Sequence, residues 1–310
     1  MPTILRPKNL RTFRELAPHA ERQHYAIGAF SPRYPLMIPP ILRAAEELRS
    51  PLLIQISQKD MTRCRVEVEP FALAFHRYLV ELGTTVPVGL HLDHTHDEEV
   101  IDRAIAAGFT SVMIDASDYP LVENIRVTRS VADRAHGLGV SVEGELGTIG
   151  ATSFSETEER ETVLYTDPEQ VAEFVEGTQI DALAVSVGTV HGVNAKRPVV
   201  IDVERLLAIR RKTPAHLVLH GGSGISSQMM EQAIRLSGGG VSKVNLATDL
   251  EVAMLRALDS SERLVDEQIT GLGREELAKA QAAVEEVVRE KILTVLGSAN
   301  QADDQPWAGR

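Results

Sequence analysis

Cysteine is almost missing from this 310-residue chain: Cys64 stands alone, which excludes an internal disulfide and a Cys-based zinc knuckle. Basic charge is short as well, with 32 Lys and Arg against 44 Asp and Glu and a formal net charge of -12. A nucleic-acid partner needs a basic face, and an anionic membrane surface repels this balance. No apolar run approaches the ~20 residues that span a bilayer. The opening "MPTILRPKNLRTFREL" lacks the apolar core of a signal peptide. No low-complexity tract interrupts the chain, and no repeat beyond the strand–helix unit is visible. What is present is ordinary: 43% hydrophobic and 25% charged residues, in a chain long enough for a substantial core. These features read as a cytoplasmic globular protein.

Short strand-like runs recur with helical patterns between them. They are "HYAIGAF" (24–30), "PLLIQIS" (51–57), "PVGLHLD" (87–93), "SVMIDA" (111–116), "SVEGEL" (141–146), "ALAVSV" (182–187), "HLVLHG" (216–221) and "KVNLAT" (243–248). Between them apolar residues fall at 3–4 spacing, as at Ile101, Ala104 and Ile105, or Ile125, Val127, Val131 and Ala135. Such alternation implies parallel βαβ units, and eight of them predict a (β/α)₈ TIM barrel, an α/β fold. The rival is an open doubly wound sheet, but no G-x-G-x-x-G turn follows the first strand. The barrel is expected to form one domain over residues 1–300, with a C-terminal helical extension over about 274–296 that stops at Gly297. The tail 301–310 is expected to be disordered or draped over a partner subunit. Residues 147–168 are polar, acidic and strand-free in pattern, long enough for a mobile lid over a site.

In a parallel barrel, functional groups gather at the C-terminal ends of the strands. Here those ends carry Asp93 and His94, Asp115, Glu143 and Glu145, His191 in "GTVHG", and His220 in "LHGGSG". The stretch "HLDHTH" by itself leaves three readings open: a metal site, an acid–base pair, or a polar strand edge. A barrel would bring His94, His191 and His220 to one mouth, where three imidazoles with an open fourth position make a catalytic zinc site. His91, two residues before Asp93, reads as a structural residue facing the barrel, and His96 as a solvated helix start. His76 and His136 read as surface residues in helices, and His24 as a solvent-facing strand start. The turns "HGGSGIS" (220–226) and "NLATD" (245–249) supply a second signal, since barrels often hold a phosphate after strands seven and eight. Gly222 admits a close backbone approach, and Ser223 and Thr248 offer hydroxyls. A Lewis-acid metal beside a phosphate site suits a sugar phosphate, whose enediolate the metal would stabilise after C–C cleavage, while Asp93 exchanges the hydroxyl proton.

With these residues in place, the chain resembles the class II, zinc-dependent ketose-bisphosphate aldolases, nearest the tagatose- and fructose-bisphosphate branches. The likeness runs from about residue 10 to 300 through "HLDH", "SVMIDAS", "SVEGELG", "GTVHG", "LVLHGGSG", "KVNLATDL" and "EEVVREKI", in that order. It implies an enzyme, an aldehyde-lyase that cleaves a phosphorylated ketose, a bisphosphate or a ketose 1-phosphate, to dihydroxyacetone phosphate and an aldehyde. It implies Zn²⁺ on His94, His191 and His220, with Glu145 as the carboxylate ligand when substrate is absent, and leaves room for another divalent metal or an assisting monovalent cation. Asp93 becomes the acid–base residue, Gly192, Gly221, Ser223, Asn245 and Thr248 the dihydroxyacetone-phosphate contacts, and Asp115 and Ser57 supporting residues. The partners it implies are a small sugar phosphate and a second or fourth copy of the chain, a homodimer or homotetramer, with neither nucleic acid nor membrane. Alternatives are an epimerase or isomerase of a sugar phosphate or sugar acid, and a non-catalytic sugar-phosphate sensor.

The departures sit at the far end of the substrate. Ser31 stands where the family reads Asn in "AFN", and Ala278 where bisphosphate-specific branches place an arginine for the distal phosphate. Arg33, Lys59, Arg63 and Arg65 are candidate replacements. Thr152 and Ser153 occupy the positions of an acidic pair in the mobile loop, where Glu156, Glu158 or Glu159 could substitute.

Overall fold

The computed structural model describes residues 7–151, 164–191 and 200–303. Among the described residues, eight parallel strands close a barrel in sequential order. They are β1 (Ile27–Phe30), β2 (Leu52–Ser57), β3 (Val88–Thr95), β4 (Ser111–Ile114), β5 (Ser141–Leu146), β6 (Ala182–Val185), β7 (His216–Leu219) and β8 (Val241–Leu246). The TIM-barrel expectation therefore holds, with every expected strand present and helices between them. β1 starts at Ile27 rather than residue 24, because His24 takes a left-handed conformation (φ 56°) that ends the preceding helix.

Side-chain alternation along these strands builds two separate apolar regions. Leu52, Ile54, Ile56, Val88, Leu90, Leu92, Val112 and Ile114 point outward and pack under the ring of helices. Ile27, Ala29, Leu53, Met113, Ala182, Ala184 and Val218 point inward and form a smaller cluster. That inner cluster is completed from below by Phe13, Leu16, Ala17 and Ala20 of the helix Phe13–Gln23, which plugs the N-terminal end of the barrel. Burying each of the larger apolar side chains contributes roughly 1.5–3 kcal/mol. Thr12 and Glu15 form a reciprocal capping box that fixes where the plug begins.

Above this apolar floor the inward positions become polar: Gln55, His91, Asp93, Glu143, Glu145, Lys243 and Asn245 are all buried. The barrel is thus dry and apolar at its base and charged toward its C-terminal mouth, which is where barrel enzymes carry their chemistry.

The segment 147–168 departs from a strand-free reading. Gly150–Ala151 pairs in parallel with Val190–His191, and Leu164 bridges Thr148. The C-terminal helix runs Arg274–Lys291 and continues as a wider turn over Ile292–Leu296, ending at Gly297 with φ 65°. Beyond it, Asn300 and Ala302 bond the backbone of Leu48 and Arg49, and Asp303 pairs with Arg49 at 2.8 Å. The start of the expected loose tail is therefore anchored; residues 304–310 lie outside the described ones. No helix among the described residues is long and apolar enough to cross a membrane.

Candidate active site at the barrel mouth

β3 delivers the central pair. Adjacent residues in a regular strand face opposite sides, yet Asp93 and His94 both reach the interior. The register with β4 slips between Leu92 and Thr95, and His94 has φ 30°, outside the usual range of a non-glycine residue. A bulge of this kind re-aims a side chain, and such backbone strain typically costs about 1–3 kcal/mol. Consecutive polar residues thereby enter one site.

Asp93, His94 and His220 bring potential ligand atoms within 4.8 Å of one another, as do His94, Asp115 and Glu145. The His94 and His220 rings meet edge-on, with centroids 4.4 Å apart. Each imidazole gives one nitrogen to a carboxylate. His94 Nδ1 lies 3.1 Å from Asp115 Oδ2, and His220 Nε2 lies 2.8 Å from Glu143 Oε1. For His220 this leaves Nδ1 facing Glu145, whereas His94 turns the same nitrogen, Nδ1, toward both Asp115 and Glu145. Glu145 Oε2 is 3.8 Å from His94 Nδ1 and 3.9 Å from His220 Nδ1. Imidazole nitrogens set beside buried carboxylates are the donor set of a divalent transition metal. The residues present fit such an ion.

Electrostatics agree with that use. Burial opposes charging His94, but Asp93, Asp115 and Glu145 more than offset it and push the ring up to about 10 in the metal-free protein. Burial and the charge on His94 push His220 down to about 4. Two rings in edge contact do not both carry a positive charge. For Asp93, burial acts upward, yet the charges on His94 and Lys243 outweigh it and hold the carboxyl well below its ordinary value. Asp93 is therefore an ionised base, steadied by Asn245 Nδ2 at 2.9 Å and Gln55 Nε2 at 3.3 Å.

The glycine turn after β7 sits beside β8. Gly221 has φ 66°, and the amide of Gly222 donates to the Asn245 carbonyl at 3.0 Å. A Cβ on Gly221 would collide with the Val190 carbonyl oxygen, so the turn tolerates no side chain there. Ser223 Oγ accepts from the Asp249 amide at 3.3 Å, and Thr248 opens the helix Thr248–Ala257, whose N-terminus favours an anion.

The fates of the remaining expected residues differ. Ser57 ends β2 opposite Asp93 and caps the helix Gln58–Cys64 by accepting the Asp60 amide. Asp115 holds His94 and accepts from both the amide and hydroxyl of Ser117. For His191 only the backbone is described, in its pairing with Ala151. Gly192 and the loop positions Thr152, Ser153, Glu156, Glu158 and Glu159 lie outside the described residues. His96 is exposed beside the helix capped by Asp97, as expected. His76 and His136 are half-buried rather than on the surface; His136 Nε2 lies 2.8 Å from Asp181. Arg33 is no free cation for a distal phosphate, because it is buried against Asp60 and Glu251. Sequence reasoning missed Gln55 and Lys243; their i, i+2 spacing from Ser57 and Asn245 was the signal for both.

The model of the family "Fructose-bisphosphate aldolase class-II" matches residues 11–301. A fructose-bisphosphate aldolase of Geobacillus stearothermophilus is 38% identical over 250 residues, covering 81% of this chain and 85% of that protein. The crystal structure of the YdjI aldolase of Escherichia coli K12 superposes with a TM-score of 0.79 at 33% identity, covering 94% of this chain and 99% of that one. A putative fructose-1,6-bisphosphate aldolase of Coccidioides immitis follows with a TM-score of 0.77 at 28% identity, covering 93% and 96%.

Proposed function

Because the chain belongs to the class-II fructose-bisphosphate aldolase family and is an aldolase, a metal-dependent lyase of sugar phosphates, we propose that it is a zinc enzyme cleaving a phosphorylated ketose to dihydroxyacetone phosphate and an aldehyde. The observation that carries the reading is the convergence of ionised Asp93 with the His94–His220 pair at one mouth. His94, His191 and His220 would hold the ion, with Glu145 beside them. A zinc ion there would supply Lewis-acid stabilisation of the negative charge that develops on the ketose carbonyl oxygen.

The chain's own residues do the rest. Asp93 takes the proton from the hydroxyl next to the scissile bond, and the C–C electron pair moves toward the carbonyl as the aldehyde leaves. Asn245 and Gln55 keep its two oxygens aimed, so the base waits in one geometry. Gly221, Ser223 and Thr248 hold the phosphate of the three-carbon half at the helix N-terminus, with Gly192 on the same half. At the distal end, Ser31 lies beside Asp60 and Ala278 is exposed on the C-terminal helix, so the family's distal-phosphate arginine has no counterpart at that position. The distal end of the substrate is therefore not held from position 278, and Lys59, Arg63 and Arg65 are the remaining candidate cations for a charge there.

A panel of ketose 1-phosphates and 1,n-bisphosphates, assayed for dihydroxyacetone phosphate with a coupled dehydrogenase, tests this. Turnover is expected to vanish on metal stripping and to return with Zn²⁺. Full activity in the stripped enzyme would sink the proposal.

A further inference from the structure

Beneath the site lies a charge that takes no step in the reaction above. Lys243, on β8, is 0% exposed. Its Nζ donates to Glu143 Oε2 at 2.8 Å and to His91 Nε2 at 3.1 Å. An ammonium only donates, so His91 must offer an unprotonated Nε2 and carry its proton on Nδ1, toward Ser111 Oγ at 2.8 Å. The other oxygen of Glu143 accepts Nε2–H of His220 at 2.8 Å. Carrying a charged pair inside a barrel costs several kcal/mol per ion, and well-packed apolar side chains would fill the same layer without that cost. The pair is therefore explained by what it orients rather than by what it stabilises.

We propose that Lys243 is a positioning residue: by pairing with Glu143 it fixes the carboxylate that takes the Nε2–H of His220, and so aims His220 Nδ1 into the metal cluster. His94 gets the same treatment from Asp115, which is steadied by Ser117 instead of a lysine. Each imidazole is thus held by its own carboxylate. The inference rests on the reading of His220 as a metal ligand.

Three variants of the full-length protein test it, each titrated with Zn²⁺ against a chromophoric chelator and melted in metal-free buffer. Lys243→Met strands the Glu143 carboxylate and is expected to lower both Tm and Zn²⁺ affinity. The double variant Lys243→Met/Glu143→Gln removes the charges as a unit and is expected to recover most of the Tm. It should still bind Zn²⁺ about 10- to 100-fold more weakly than the parent, the usual effect of losing a ligand's outer partner. Parental affinity in a double variant with recovered Tm overturns the proposal. His220→Ala separates the two ideas: tight binding there means that His220 is not a ligand. Loss there with retention in the double variant means that only the role of Lys243 is wrong. If the lysine variants do not fold, ¹⁵N NMR of histidine-labelled metal-free protein decides instead. His220 protonated at Nε2 and bare at Nδ1 supports the proposal, and the opposite tautomer overturns it.

Discussion

At the residue scale, the site depends on two neighbours in sequence facing one cavity. Asp93 and His94 can do so only through the bulge and the φ of 30° at His94. This division of labour yields a clean prediction. Asp93→Ala removes the base but no proposed zinc ligand, so bound zinc should stay near the parental level while cleavage falls about 10²- to 10⁴-fold. His191→Ala should instead lose the metal, as measured by zinc content after dialysis. Equal zinc loss in both variants would mean that Asp93 is a ligand rather than the base. That Asp93 and His94 share one mouth was legible because they end a strand in a recognisable block. The bulge that makes them compatible was not, since no residue type announces it.

At the element scale, the second half of the barrel carries the proposed anion site and the ion pairs that anchor it. Thr248 opens a helix whose Glu251 takes Arg33 from the β1 end and Arg263 from the far loop. Arg33 and Glu251 are each about 1% exposed, so neither can turn to water if the other is lost. Glu251→Gln is expected to cost about 3–5 kcal/mol, because the Arg33 charge loses its strongest partner while still buried. The check is a denaturant melt, and a cost below about 1 kcal/mol would place Arg33 in contact with solvent. Arg33 reads from the sequence as a candidate cation for the distal phosphate; only the structure reveals that it is tied to a helix residue 218 positions away. Strand existence was readable from apolar runs and turn residues, and eight strands recovered from eight runs follow from that local signal. Gln55 and Lys243 could be placed on the inward face by their spacing from Ser57 and Asn245, but the partners they meet across the barrel leave no local mark.

At the scale of the whole molecule, the candidate site and the plugging helix occupy opposite ends of the barrel. β7 shows the separation in one strand: His216 starts it at the base and His220 follows it at the mouth, ~13 Å apart at the usual rise. At the base, Glu21 of the plugging helix accepts from His216 Nδ1 and from Ser242 Oγ, each at 2.8 Å, with Arg210 nearby at 3.7 Å. Burial pushes the Glu21 carboxyl up, but the bonds from His216 and Ser242 and the Arg210 charge outweigh it and leave it below its ordinary value. A carboxyl depressed on folding stabilises the native state above its unfolded pKa of about 4.3, and that contribution disappears as pH falls through the folded value. Glu21→Gln should therefore lower Tm at pH 7, and the gap from the parent should close as the pH is taken below about 4. The turnover number at pH 7 should remain parental in the same variant, because nothing in the plug touches the mouth. A constant Tm gap down to pH 3 would show that the carboxylate charge contributes nothing there. A matching loss of turnover would show that base and mouth are mechanically coupled, against the division that barrel enzymes usually keep.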